Sequence, residues 1–172
     1  MKIRTGGPAD VPAVLALLDG AVAWLTERGR TGQWGTEPFS RIPERVAHIE
    51  EYAGEHLVRI AETPEGRAAG VCVLAEEPAP YVPPVAEREL YVRLLVTDRA
   101  LRGGGVGAAL VADARAEAER RGIALLRVDC YGGGDGALAA QYERLGFTPC
   151  ETFTVERPGR PAWPGRVLQM RL

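Results

Sequence analysis

ELYVRLLVTDRALRGGGVG, residues 89–107, reads as a strand, a short turn, a glycine nest and the opening of a helix. Glu89 to Val96 is dense in β-branched, aromatic and aliphatic side chains, which suit a pleated strand. Gly103, Gly104 and Gly105 follow Arg102, and Val106 and Gly107 lead into AALVADARAEAERRG. There Val106, Leu110, Val111, Ala114 and Ala118 recur at helical spacing, and Gly122 supplies a stop. Glycines at a helix start let several main-chain N–H groups converge on one point, where the helix dipole adds positive potential. Arg102 adds a forked cation suited to phosphate oxygens. The simplest ligand for this construction is a phosphate or pyrophosphate.

Downstream, IALLRVDCY (123–131) is a strongly apolar strand, so the strand, helix and strand form a βαβ unit with parallel strands. GGGDG (132–136) is a flexible loop, and ALAAQYERLGF (137–147) is a helix closed by Gly146. Residues 150–156 and 166–172 read as two final strands with a loop between them. Upstream, PAPYVPPVAERE is a stiff surface connection because of its prolines. Before it, 56–62 and 68–76 read as an antiparallel pair joined by TPEG. A helix spans 43–53, and 30–39 is a loop carrying Trp34 and Phe39. The first helix opens at Pro8 and Asp10, carries Val11, Val14, Leu15, Leu18, Val22 and Leu25 on one face, and ends at Gly29. Gly20 offers a break inside it, and residues 2–5 could form a first strand.

These elements add up to one α/β domain over 1–172, with a mixed, mostly antiparallel sheet flanked by helices. The length suits one core and is short for two. Apolar residues make up 46% and charged residues 26%, as expected of an ordinary globular chain. A net charge of −2 offers no footprint for nucleic acid. No segment reads as long and apolar enough for a membrane span, and MKIRTGGPAD lacks a signal peptide's apolar core. Cys72, Cys130 and Cys150 are widely spaced, which points to reduced thiols, mostly in the core, and a cytoplasmic chain without a metal.

Arg102, Gly105 and Gly107 match R-x-x-G-x-G/A, and Tyr142, Gly146 and Phe147 match Y-x-x-x-G-F. On these motifs the chain resembles the GCN5-related N-acetyltransferases, specifically over 89–147 and in element order elsewhere. The resemblance implies that Arg102, Gly103, Gly104, Gly105, Val106 and Gly107 hold the pyrophosphate of acetyl-CoA. It implies strands that splay near Leu94, Leu95 and Val96, whose main chain binds pantetheine and polarises the thioester carbonyl. Tyr142 would protonate the leaving thiolate, or else only pack on coenzyme A or the sheet. Asp135 stands where many relatives carry an Asn that contacts the cofactor; as an acid it reaches the cofactor or points away.

An alkylammonium, with a pKa of about 10, must lose a proton before it attacks. Glu89 lies thirteen residues before Arg102, a spacing similar to that of the base glutamate in the histone-acetylating branch. It shares a strand face with Tyr91 and Arg93; the competing role is an edge glutamate in solvent or paired with Arg88 or Arg93. His48 and His56 read as surface residues, and Trp24 as core. Trp34 could instead line the acceptor site. The activity implied is N-acetyl transfer from acetyl-CoA to a small-molecule or peptide amine, with no nucleic acid or membrane as partner and room for a homodimer.

A non-catalytic acyl-CoA sensor on the same fold is the alternative, and a dinucleotide-binding protein a weaker one. Gly103, Gly105 and Ala108 fit G-x-G-x-x-A, and Asp129 offers a ribose-binding acid. Against it, Thr97 to Arg102 part the strand from the first glycine, where that fingerprint needs a tight turn.

Overall fold

Apolar runs punctuated by Gly and Pro resolve into seven strands and four α-helices in a computed structural model that describes residues 1–172. The strands are β1 (Lys2–Thr5), β2 (Leu57–Glu62), β3 (Ala68–Ala75), β4 (Leu90–Thr97), β5 (Leu125–Tyr131), β6 (Thr148–Val155) and β7 (Trp163–Arg171). The helices are α1 (Val11–Glu27), α2 (Pro43–Glu55), α3 (Val106–Arg120) and α4 (Ala137–Arg144). The strands follow the order β1-β2-β3-β4-β5-β7-β6 in one sheet, mixed and mostly antiparallel as expected. The chain divides into two compact units, Met1–Leu74 with Leu94–Ala114, and Ala75–Arg93 with Arg115–Leu172.

In the first unit, β1 runs antiparallel to β2 (Lys2 opposite Glu62), and β2 antiparallel to β3 (Leu57 opposite Leu74). Val14, Leu18 and Val22 of α1 and Ile49 and Tyr52 of α2 bury themselves on Val58, Ile60, Val71 and Val73. Each such aliphatic side chain contributes about 1.5–3 kcal/mol. That outweighs the roughly 1 kcal/mol that Gly20 costs inside a helix, so α1 continues through it unbroken. The Pro8–Glu27 stretch is, against expectation, long and apolar enough to cross a membrane by length and composition. Its Val14, Leu18 and Val22 lie in this core instead. Gly70 lets α3 come close to β3: a Cβ there would lie 2.8 Å from Val106 and 3.1 Å from the Val96 carbonyl.

In the second unit, β5 is flanked by β4, parallel, and β7, antiparallel, as the βαβ reading requires. The proline-rich 78–88 segment is more than a surface connection. Ala79 and Val82 are buried against Tyr91 and Val167 and cover the apolar part of that sheet face.

Three helix ends share one cause. Ile123 N–H donates to Ala118, Phe147 N–H to Tyr142 and Arg30 N–H to Leu25, each bond spanning a glycine with positive φ at 122, 146 or 29. This glycine-centred cap satisfies the last carbonyls. It also explains why β5 starts at Leu125 and not at Ile123.

Candidate active site

Gly103 and Gly105 adopt φ of +84° and +75°, a region that costs a side-chain-bearing residue strain. The first helical bond of α3 runs from Ala109 N–H to the Gly105 carbonyl at 2.9 Å. Gly105, Val106, Gly107 and Ala108 therefore bring their N–H groups to the helix start without an intrahelical acceptor. Gly104 differs, since its N–H donates to the Leu101 carbonyl at 2.9 Å, so it shapes the turn and is not a free donor. The turn before it is pinned by Asp98, whose carboxylate accepts from Ala100 N–H at 2.9 Å and pairs with Arg67 at 3.0 Å. Beside the loop lies a pocket of ≈ 320 Å³ lined by Thr63, Pro64, Ala69, Leu101, Arg102 and Gly104.

Trp24 is not plain core. The guanidinium groups of Arg28, Arg99 and Arg102 lie 4.0, 4.6 and 5.5 Å from its ring centre. The indole holds these cations together by its negative face and draws Arg102 toward α1. Helical spacing made Trp24 legible only as an apolar position, and no local pattern announces the arginines. Trp34, by contrast, packs edge-on to Phe39 at 5.3 Å and against the first unit's core.

The paired register of β4 with β5 runs from Leu90 to Val92. Leu94, Leu95 and Val96 lie past its end, on the part of β4 that belongs to the first unit.

The second unit holds Tyr142, Glu89 and Asp135. Tyr142 is 8% exposed on α4, its ring edge-on to Phe147 at 5.8 Å. The Gly146 cap joins these two residues, so Y-x-x-x-G-F has a folding role whatever its chemistry. Asp135 is exposed and accepts from Ala137 N–H at 3.0 Å, closing a turn just ahead of α4, whose N-cap is Gly136.

Glu89 is 3% exposed and Arg127 1%. Arg127 donates Nε–H to Glu89 Oε2 at 2.5 Å and Nη2–H to Oε1 at 2.9 Å. Both carboxylate oxygens are thus taken by a buried guanidinium. The expected partners Arg88 and Arg93 are elsewhere: Arg88 on Glu76, and Arg93 on the Glu77 and Pro78 carbonyls. Arg127 was missed because it sits inside the apolar run IALLRVDCY, where only the parallel register reveals its neighbour.

Two residues beyond Arg127, Asp129 accepts a hydrogen bond from the Tyr91 hydroxyl at 2.6 Å. Burial raises the Asp129 carboxyl above its ordinary range, opposed by the bond from Tyr91 and by the charge of Arg93. Burial and the Asp129 charge likewise raise the Tyr91 phenol. Burial pushes the Cys72 and Cys130 thiols up to about 12, so both are inert; Cys150 is exposed.

Residues 19–147 match the family described as Acetyltransferase (GNAT) family. No curated protein sequence matches the chain. Solved structures do. A ribosomal-protein-alanine N-acetyltransferase from Brucella melitensis is 25% identical, with each chain covered in full and a TM-score of 0.69. A GNAT-family acetyltransferase from Listeria monocytogenes is 21% identical, covering 99% of this chain and 94% of its own, at 0.70. An acetyltransferase from Salmonella typhimurium, solved with its cofactor acetyl-CoA, is 20% identical, covering 100% and 94%, at 0.66.

Proposed function

This chain belongs to the acetyltransferase (GNAT) family, and from that premise we propose that it carries an acetyl group from acetyl-CoA to a primary amine by direct attack in a ternary complex. The observation that supports this reading is the loop before α3. Gly105, Val106 and Gly107 offer N–H groups at a helix start, with Arg102 beside them, which suits a pyrophosphate. We take residues 1–172 as a single acetyltransferase domain, since β4 and α3 each run unbroken through both compact units.

In the proposed reaction the neutral amine nitrogen attacks the thioester carbonyl carbon. Main-chain N–H groups at Leu95 or Val96 take the negative charge that grows on the oxygen. The carbon–sulfur bond then breaks, and the Tyr142 hydroxyl donates its proton to the departing thiolate. The attacking nitrogen gives its proton to water and the Tyr142 phenolate regains one from water, so the products are an amide and coenzyme A. Leu94 contributes main chain to the pantetheine arm, and Asp135 acts on the cofactor only through the turn that it closes ahead of α4.

We read Glu89 as a tie between strands and not as the base. At 3% exposed, with each oxygen accepting from Arg127, its carboxylate would have to leave a buried ion pair to reach a substrate. Its work in this reading is to tie β4 to β5, and the amine proton leaves to water.

The test is coenzyme A release from acetyl-CoA over a panel of amines, followed by two-substrate kinetics. Intersecting double-reciprocal lines are expected. Parallel lines would show a covalent acetyl-enzyme, and binding without turnover on every amine would leave the sensor alternative standing.

A further inference from the structure

One face of the second unit carries a row of rings and a recessed acid that neither the loop nor Tyr142 uses. Strand pairing puts Asp129 and Tyr131 of β5, Gly165 and Val167 of β7, and Phe153 of β6 on that face. Gly165 makes room for the row: a Cβ there would collide with the Phe153 ring, which lies across it. Tyr81, from the proline-rich segment, stacks on Phe153 at 5.5 Å and 29°. Phe153 meets Trp163 at 6.1 Å, and Trp163 meets Tyr131 at 5.4 Å. Tyr81 is 50% exposed, and the other three rings are partly so. Asp129 belongs to the same group: it lies opposite Val167 and accepts from the Tyr91 hydroxyl at 2.6 Å, and the Tyr81 hydroxyl helps to hold its carboxyl down.

Rings with solvent-facing area beside a carboxylate are the chemistry that recognises an organic cation. The ring faces attract the positive charge and cover the apolar body, and the carboxylate takes the ammonium N–H. An amino-acid or other anionic acceptor would instead place its carboxylate against Asp129.

We propose that this face binds the acceptor, and that the acceptor is a cationic amine with an aromatic or apolar body and no carboxylate, its ammonium on Asp129 and its body along Phe153 and Trp163. The inference rests on the amine-acetylating reading above and names the amine. Asp129 enters as a residue that touches substrate, and Tyr91 as the residue that positions it. The partial opposition comes from Arg93, whose cation acts on Asp129 while its Nη1 is spent on the Glu77 and Pro78 carbonyls.

The test measures coenzyme A release with 2-phenylethylamine, tryptamine, butylamine, glycine and glutamate as acceptors, and in parallel titrates tryptamine into the coenzyme A complex by calorimetry. The arylalkylamines are expected to give the highest kcat/KM. Asp129→Asn, which keeps an oxygen for the Tyr91 hydroxyl, is expected to raise KM for 2-phenylethylamine by about tenfold or more while the acetyl-CoA Kd stays within twofold. Trp163→Leu is expected to raise KM for 2-phenylethylamine more than for butylamine. The proposal is overturned if glycine or glutamate is the preferred acceptor, if Asp129→Asn leaves every KM unchanged, or if tryptamine does not bind the complex. In those cases turnover of some amine still supports the transferase reading, whereas no turnover with bound acetyl-CoA sinks that reading instead.

Discussion

Tyr142 and Glu89 separate at the level of single atoms. The Tyr142 phenol sits on α4 with its ring held edge-on by Phe147, whereas each oxygen of the buried Glu89 carboxylate accepts from the Arg127 guanidinium. Tyr142→Phe keeps the ring packing and removes only the hydroxyl. Its kcat should fall by roughly 10²-fold, the lower end of what a positioned proton donor contributes, with acetyl-CoA affinity unchanged by calorimetry. Equal turnover would take Tyr142 out of the acid role. Arg127→Ala strands the Glu89 charge in a site 3% exposed and should cost about 3–5 kcal/mol, read as a lowered urea midpoint. A variant as stable as the parent would show that water reaches the pair. The presence of Tyr142 and Glu89 was legible in the chain. The fate of Glu89 was not, because a parallel partner's offset is set across space and leaves no trace in local spacing.

Elements tie their ends with charges that report on pH. Arg4 reaches Asp10 at 2.7 Å and Glu62 at 2.6 Å, while Asp10 also accepts from Gly7 N–H at the turn leading into α1. The hydrogen bond from Arg4 holds the Asp10 carboxyl below its ordinary range, and the Gly7 amide adds to this. A carboxyl whose folded pKa is depressed contributes stability that is complete above its unfolded pKa of about 3.9 and is lost as pH falls through the lower folded value. The stability gap between the parent and Asp10→Asn, measured in urea, should therefore be widest near neutral pH and shrink below pH of about 4. A gap independent of pH would mean that the charge contributes nothing. At the start of α3, Gly105→Glu adds strain at φ +75° and a negative charge where the pyrophosphate is proposed to sit. Acetyl-CoA binding should fall below detection in calorimetry while the circular dichroism of the protein is retained; normal affinity would move the cofactor elsewhere. This loop was legible because its signal is local: three glycines, one arginine and the helix period that follows.

At the scale of the molecule, β4 and α3 run through both compact units, so neither can unfold without cutting the other's secondary structure. One cooperative calorimetric transition is expected, with acetyl-CoA at 100 times its Kd adding about 2.7 kcal/mol and raising Tm by roughly 5–10 °C. Two transitions, only one of them moved by cofactor, would break the single-domain proposal. What the chain determined by itself is everything carried by short-range geometry: strand and helix periods, glycine caps at residues 29, 122 and 146, and the R-x-x-G-x-G run, where Gly103 and Gly105 take φ angles that only glycine tolerates cheaply. What tertiary structure alone decided is which distant side chains meet. Arg127 took Glu89, Tyr91 took Asp129, three arginines gathered on Trp24, and a proline-rich link became the cover of a sheet face. Those meetings depend on register and on which face each strand turns inward, and both are settled only when the apolar faces are buried together.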